Sequence, residues 1–471
     1  MSTSAGQATK WPVVTARAPG EPRVLSIGQQ RLWYLSQLTP NNAAYNVPYA
    51  SRIRGPLDAD SLKKALAAIF ERHEVLRTVV LSPGGTPVPV LLKKWAFDLK
   101  SFDVRELPEE QREAEAERIV KQESAIPFNL ARDLMLRGVL IRIAEEDYIF
   151  LHIAPHMSFE GGSLIALFRE LGQFYNHFAY GDAVDLPEMT VQYCDYALWQ
   201  RRYLEGERLE MLTDYWRKQL TGAPLVNLPL DHPRPTIHTM RGIRHQWVLP
   251  PELVARMNQF FRDSGTTPYR GLCAAFNVFL HCYTGLTDIS VGSPFFPRCT
   301  GVENVIGFFV NTVVVRNDLS GDPSFRALMK RVDDVVRGAI QHSDLTFDKL
   351  VEAVRPPRDS SRTPLFQVNF RAPKEPYPTL QLKGVACERV QYKDNGTAKF
   401  DLALEMESSL GQACYFEYCV DLFKPETIVQ MVDDFQNVLR GLMDQVDVPL
   451  SEISVVREIQ ARVRNRGTIK H

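Results

Sequence analysis

The sequence predicts a mixed α/β (α+β) fold divided into more than one compact lobe. Three observations carry that expectation. The chain has 471 residues, more than a single hydrophobic core usually organises. Apolar residues make up 45% and charged residues 24%, an ordinary globular balance with ample core. Helical and extended patterns alternate from about Pro22 to Val456 with no low-complexity linker between them.

The helices come first. In Asp58–Thr78 the apolar residues Leu62, Ala65, Leu66, Ile69 and Phe70 recur at three- and four-residue steps, one stripe on a helix with Asp58 or Asp60 as its N-cap. The same period runs through Gly162–Ala179 (Leu164, Leu167, Phe168, Leu171, Tyr175), Glu207–Leu220, Pro323–Ile340 and Pro425–Met443. Tyr148–Ile153, Val310–Val315, Leu365–Phe370 and Phe400–Glu405 are rich in β-branched and aromatic residues and predict strands. Pro224–Pro235, with four prolines and no period, reads as a connector. A lobe boundary is expected between Gly181 and Tyr193, which gives a flexible N-terminal arm over 1–22, one lobe over 23–185 and a second over 186–471. The first twenty-odd residues are rich in Ser, Thr, Ala and Pro and lack the apolar stretch of a signal peptide.

Several function classes are excluded early. Fifty-five Lys and Arg stand against fifty-six Asp and Glu, a net charge of −1, which argues against a general nucleic-acid binder or a polybasic membrane-surface protein. The longest uncharged run, Leu32–Ser51, is broken by Pro40, Asn41, Asn42, Asn46 and Pro48, so it is no transmembrane helix. Seven scattered cysteines form no CxxC pair, so neither a zinc ribbon nor a dithiol redox site is signalled, and a reducing, cytoplasmic compartment is expected.

The segment YIFLHIAPHMSFEGGSLIAL, residues 148–167, is where chemistry is expected. An apolar strand runs into Pro155, a short polar stretch and two glycines follow, and a helix begins. Proline sets its own φ and pushes Ala154 toward extended geometry, so the chain turns near His156. Such strand–turn–helix junctions project side chains and helix N–H groups into clefts. The plain alternative for His156 is a histidine packed at a strand end. His152, His156 and Glu160 stand four apart, but that spacing converges on a metal only along a helix, which Pro155 denies; no metal site is expected. No GxSxG elbow surrounds Ser158 or Ser163. FEGGSL lacks the helical-bundle context of a phosphopantetheine-bearing serine, and DSGTTPYRG (Asp263–Gly271) lacks the Gly and Lys of a phosphate loop. The remaining reading is a histidine acting directly on two bound substrates, as general base or as a hydrogen-bonding anchor.

Seven motifs in order then give a resemblance. SIGQQRLWYL (Ser26–Leu35), RHEVLRT (Arg72–Thr78), APHMSFEGGS (Ala154–Ser163), YCDYALWQ (Tyr193–Gln200), IGFFVNTVVVR (Ile306–Arg316), HSDLTFDKLVEAV (His342–Val354) and RDSSRTPLFQVNF (Arg358–Phe370) together resemble the condensation domain of nonribosomal peptide synthetases, over about Leu25 to Val456. The resemblance implies two chloramphenicol-acetyltransferase-like lobes in a V-shaped pseudo-dimer, crossed by a central tunnel. A donor carrier protein and an acceptor carrier protein would serve its two faces, with substrates held on their phosphopantetheine arms and no cofactor bound by the enzyme itself. The reaction implied is attack of an acceptor amine on a donor thioester, giving an amide; an ester from a hydroxyl acceptor stays open.

The catalytic histidine of the family's HHxxxDG motif falls on His156, its aspartate on Glu160 and its glycine on Gly161. The implied partner of Glu160 is Arg77, with Arg72 second. Met157, Ser158 and Asn311 are candidates for lining the tunnel; for Asn311 the alternative is securing backbone. Pro155 stands in place of the motif's first histidine and Glu160 in place of its aspartate. These departures keep two further readings open: a catalytically silent module that recruits a partner protein, and a condensation enzyme with a free amine or alcohol acceptor. Met1 and the lack of an adenylation or carrier signature favour a stand-alone enzyme over an excised domain.

Overall fold

The computed structural model describes residues 12–40, 42–296, 299–374, 376–390, 396–408 and 411–468. Two compact units are present. The first comprises Met1–Glu205, Phe296–Val310 and Pro378–Gln391; the second comprises Gly206–Phe295, Asn311–Tyr377 and Tyr392–His471.

Unit 1 is built on a five-stranded sheet in the order Ala386–Val390, Asn46–Arg54, Asp147–Pro155, Arg137–Ala144, Leu99–Asp103. Only the last pair is parallel. Asp147–Pro155 is central, and Tyr148 to Pro155 are all buried, which is why this strand reads as a continuous apolar run instead of an alternation. The helix Ala59–Arg72 starts where expected: Asp58 accepts the N–H groups of Asp60 and Ser61, and the stripe Leu62, Ala65, Leu66, Ile69, Phe70 is buried. It packs with the helix Ser163–Tyr180, which ends at the left-handed Gly181.

The observed division differs from the one expected at residues 185/186. Unit 1 extends to Glu205 because the helix Tyr193–Tyr203 belongs to it: Tyr193 is 2% exposed and its hydroxyl lies 2.9 Å from Ser26 Oγ. Two later segments also return to unit 1, one of them supplying an edge strand of its sheet. The expected flexible arm differs as well. Residues 1–11 lie outside the described residues, but Val14 is buried, its N–H donates to Thr300 O at 2.9 Å, and Thr300 N–H donates to Pro12 O at 3.1 Å.

Unit 2 holds a six-stranded sheet in the order Gly242–Val248, Ala413–Cys419, Leu402–Met406, Val368–Arg371, Asp288–Phe295, Asn311–Asp318. Its central helix, Pro268–Thr284, is buried on nearly every side, from Leu272 to Tyr283. Asp434, 2% exposed, receives the Tyr283 hydroxyl and the Arg462 guanidinium and so ties three helices together. No helix among the described residues is long and apolar enough to cross a membrane.

His152 is a polar residue buried in the unit 1 core without a hydrogen-bonding partner among the described residues. It lies in a box of Tyr49, Phe150, Phe159 and Phe168, with ring centroids 5.5–6.0 Å away. Burial alone pushes its pKa down to about 3, so the ring stays neutral. The unfolded chain binds that proton below about pH 6.5 and the folded chain does not, so this residue's share of stability is intact above pH 6.5 and is lost progressively toward pH 3. His152→Phe is expected to abolish that loss. The stability difference between variant and wild type should grow by about 2 kcal/mol in the variant's favour between pH 7 and pH 5 by urea unfolding. A difference that stays constant with pH would show that His152 titrates normally in the fold.

Candidate active site

The strand Asp147–Pro155 ends opposite Asn46, and the next N–H, that of His156, donates to Tyr45 O at 2.7 Å. Pro155, which has no N–H, closes the ladder there, and the Ser158 N–H bond to Pro155 O (2.9 Å) turns the chain. The turn brings His156 Nδ1 to 2.9 Å from Phe159 O. A carbonyl oxygen only accepts, so this bond puts the proton on Nδ1 and leaves the neutral ring a lone pair on Nε2. The ring is part-buried, with Phe308 set edge-to-face against it at 5.0 Å and 74°.

The loop itself is held from behind. Gln29 Nε2 donates to Met157 O at 2.9 Å, and Ser158 Oγ donates to Pro155 O (3.0 Å) and Met135 O (3.3 Å). Met157 and Ser158 are buried and border a cavity of about 20 Å³ with Gln29, Glu74, Tyr193 and Cys194. That volume suits a water molecule, not an acyl chain. Burial raises the Cys194 thiol to about 11, so it is no nucleophile at neutral pH. Gly161 lies in the turn before the helix Ser163–Tyr180 and accepts the N–H of Leu164.

Glu160 is 3% exposed, and its carboxylate accepts two consecutive backbone N–H groups, Phe309 at 3.1 Å and Val310 at 2.5 Å. This corrects the expected pairing with Arg77. Arg77 closes the end of the helix Ala59–Arg72 instead, donating to Phe70 O (3.0 Å), Glu71 O (3.1 Å) and Leu92 O (3.4 Å). Arg72, the second choice, donates to Pro187 O and lies 3.2 Å from Glu170. The extra methylene of Glu over Asp gives the carboxylate its reach to the backbone at 309 and 310.

The whole stretch Ile306–Val310 lacks helix or strand and is held by side chains. Ile306 N–H donates to His73 Nδ1 (3.4 Å), Ser163 Oγ accepts from Gly307 N–H (3.1 Å) and donates to Gly307 O (3.0 Å), and Tyr193 OH donates to Phe308 O (2.6 Å). Gly307 is required here, because a β-carbon would fall 1.9 Å from the Tyr193 ring. His73 Nε2 in turn lies 2.7 Å from the fully buried Glu170 carboxylate. Sequence reasoning weighed Ser163 only as a nucleophile, set aside for want of an elbow motif, and singled out none of His73, Tyr193 or Phe308 for a role. One signal was present: Glu170 sits three residues from Leu167 on an otherwise apolar helical stripe, which a buried carboxylate tolerates only with a partner.

Asn311, in unit 2, spends its amide on backbone. It donates to Ser343 O and Leu345 O at 2.7 Å each and accepts from Phe347 N–H at 3.0 Å, fixing the approach to the helix Phe347–Val354. Among the described residues no three His, Cys, Asp or Glu side chains gather to hold a metal ion.

A family model described as the condensation domain matches residues 23–463. The chain belongs to the condensation-domain family. It is 39% identical over 436 residues to a linear gramicidin synthase polypeptide of Brevibacillus parabrevis, covering 92% of this chain and 6% of that protein. It is 34% identical over 447 residues to phosphinothricin tripeptide synthetase PhsC of Streptomyces viridochromogenes, covering 94% of this chain and 41% of that one. The chain thus spans less than half the length of either relative. Among solved structures it is similar to the X-domain from teicoplanin biosynthesis, with TM-score 0.83, 25% identity and 94% and 100% of the two chains covered. The first condensation domain of the calcium-dependent antibiotic synthetase matches in fold, with TM-score 0.78, 19% identity, and 92% and 99% coverage. Condensation domains are acyltransferases that form peptide bonds; their substrates ride on the phosphopantetheine of carrier proteins, and the domain needs no cofactor of its own.

The geometry around Glu160 yields a quantitative expectation for this condensation domain. Arg77→Met should destabilise it by about 1–3 kcal/mol through its lost carbonyl bonds. In a double-mutant cycle with Glu160→Gln, followed by denaturant unfolding, the two effects should add within about 0.5 kcal/mol. A coupling energy of about 1 kcal/mol or more would restore a direct Arg77–Glu160 interaction.

Proposed function

We propose that the protein is a condensation enzyme of nonribosomal peptide synthesis. It joins an acyl or aminoacyl thioester on a donor carrier protein to the amine of an acceptor held on a second carrier. The observation that carries this reading is the fixed tautomer of His156: Nδ1–H on Phe159 O and the lone pair on Nε2. A basic Nε2 accepts an N–H; it does not donate to an oxyanion. The role assigned to His156 is therefore to accept the proton from the attacking amine, as general base.

The amine nitrogen attacks the thioester carbonyl, the C–N bond forms, and the surplus proton on nitrogen passes to Nε2. The tetrahedral intermediate then collapses, the C–S bond breaks, and the thiolate of the donor arm leaves and takes up the proton. The thioester is already activated, so no covalent enzyme intermediate is needed. Positioning of the two carrier arms supplies the larger share of the acceleration, up to roughly 7–11 kcal/mol in well-oriented systems. Seven scattered cysteines with no CxxC pair fit a reducing compartment, and the cytoplasm is the proposed location.

A second reading, a silent module that recruits a protein partner, is favoured by Pro155 and Glu160 in the active-site motif. It also gains from the similarity to an X-domain, a protein whose complex with OxyB is known. Single-turnover condensation read by intact-protein mass spectrometry separates the two. Acyl-loaded donor carriers are mixed with aminoacyl- and hydroxyacyl-loaded acceptor carriers and with free amines. Transfer to a carrier-bound amine is expected, slowed about 10²–10⁴-fold by His156→Ala. Transfer only to the free amine would replace the acceptor carrier with a soluble substrate. Equal rates for both proteins would remove His156 from the chemistry, and no transfer at all would favour recruitment.

A further inference from the structure

We propose that Phe308 is a positioning residue for His156, a wedge between the catalytic ring and Gly28 whose register Ser163 sets. The inference rests on the reading of His156 as the base. Phe308 is 6% exposed. It meets the imidazole edge-to-face at 5.0 Å, and its Cε1 lies so near Gly28 that a β-carbon there would be 2.7 Å away. Gly28 stands in the first turn of the helix Ile27–Leu38, capped by Ser26. Through Gln29 the same turn also holds Met157 O of the catalytic loop. The ring is therefore in close contact with the turn that carries Gly28, and any bulk added there presses on it.

Its backbone is fixed just as closely. Ser163 Oγ bonds both the N–H and the C=O of Gly307, Tyr193 OH holds Phe308 O, and Glu160 holds the next two N–H groups. The imidazole is thus bonded at Nδ1 by the Phe159 carbonyl and flanked by the Phe308 ring. The Nδ1–H bond sets which nitrogen carries the lone pair, and the Phe308 ring packed on the flank narrows the range of directions in which Nε2 can point. Small displacements matter, because a misplacement of about 1 Å costs on the order of 100-fold in rate.

The test uses Phe308→Leu, Ser163→Ala and Gly28→Ala, the last of which leaves every side chain of the site in place and only pushes the wedge. Single-turnover condensation with saturating carriers is expected to slow about 10- to 100-fold in Phe308→Leu, with the carrier concentration for half-maximal rate within twofold of wild type. In the His156→Ala background the same substitution should slow nothing further, since there is no ring left to orient. The imidazole nitrogen shifts of His156, read by ¹⁵N NMR without carriers or turnover, should move from a pure Nδ1–H pattern to a mixture in all three variants. An equal slowing in the presence and absence of His156 would make Phe308 merely structural and overturn the proposal, as would unchanged nitrogen shifts in a folded Phe308→Leu protein. If His156→Ala leaves transfer intact, the assignment of the base fails, while the nitrogen shifts still decide whether Phe308 orients the ring.

Discussion

The site depends on how a stretch of backbone without helix or strand keeps its polar groups bonded. From Ile306 to Val310 the chain is part-buried, and buried N–H and C=O groups left without partners cost about 1–3 kcal/mol each. Four side chains meet that need: His73, Ser163, Tyr193 and Glu160. They come from the end of one helix, the start of another, a third helix and the active-site loop. The catalytic loop and the 306–310 stretch therefore stabilise one another, and neither can shift without stranding buried polar groups of the other. His156, the proposed base, sits beside this mutually constrained pair of segments.

The two departures in the active-site motif make physical sense in that setting. Proline at 155 ends the ladder of a central strand at the residue where an N–H is no longer wanted, and it does so by geometry instead of by a second histidine. Glutamate at 160 reaches the backbone at 309 and 310, and a carboxylate bonded by two N–H groups gains charge-assisted hydrogen bonds.

Much of this was legible in the sequence, and the reasons divide cleanly. The helix Ala59–Arg72, its cap at Asp58 and its buried stripe follow from local period and capping chemistry, and so do Ser163–Tyr180 and Pro425–Asp444. Likewise the turn at His156 followed from Pro155 and the glycines. What the sequence did not reveal is long-range. Arg77 and Glu160 have complementary charges and compatible motifs, yet Arg77 has three carbonyls closer at hand, within fifteen residues of itself. The discontinuous make-up of unit 1 leaves no local trace, because the strand Ala386–Val390 finds its partner more than 300 residues upstream. Local patterns also miss single backbone exceptions: Leu365 adopts φ 69°, so the strand expected from Leu365 begins only at Val368.

His152 and His156 show why residue type alone misleads. They lie four residues apart on one strand and loop, and both are histidines of an apolar segment. His152 has four aromatic rings for company and no hydrogen bond among the described residues, so burial keeps it neutral and inert. His156, one turn beyond the strand, has a carbonyl to fix its proton and an aromatic ring on its flank. The difference between the core histidine and the proposed base is not the side chain but the end of a β-ladder. The strand end frees the backbone to turn, the turn supplies the Phe159 carbonyl, and the carbonyl selects which nitrogen is basic. In the proposed reaction the thioester is already activated, so the part assigned to His156 is one lone pair held in one direction by the carbonyl and the ring beside it.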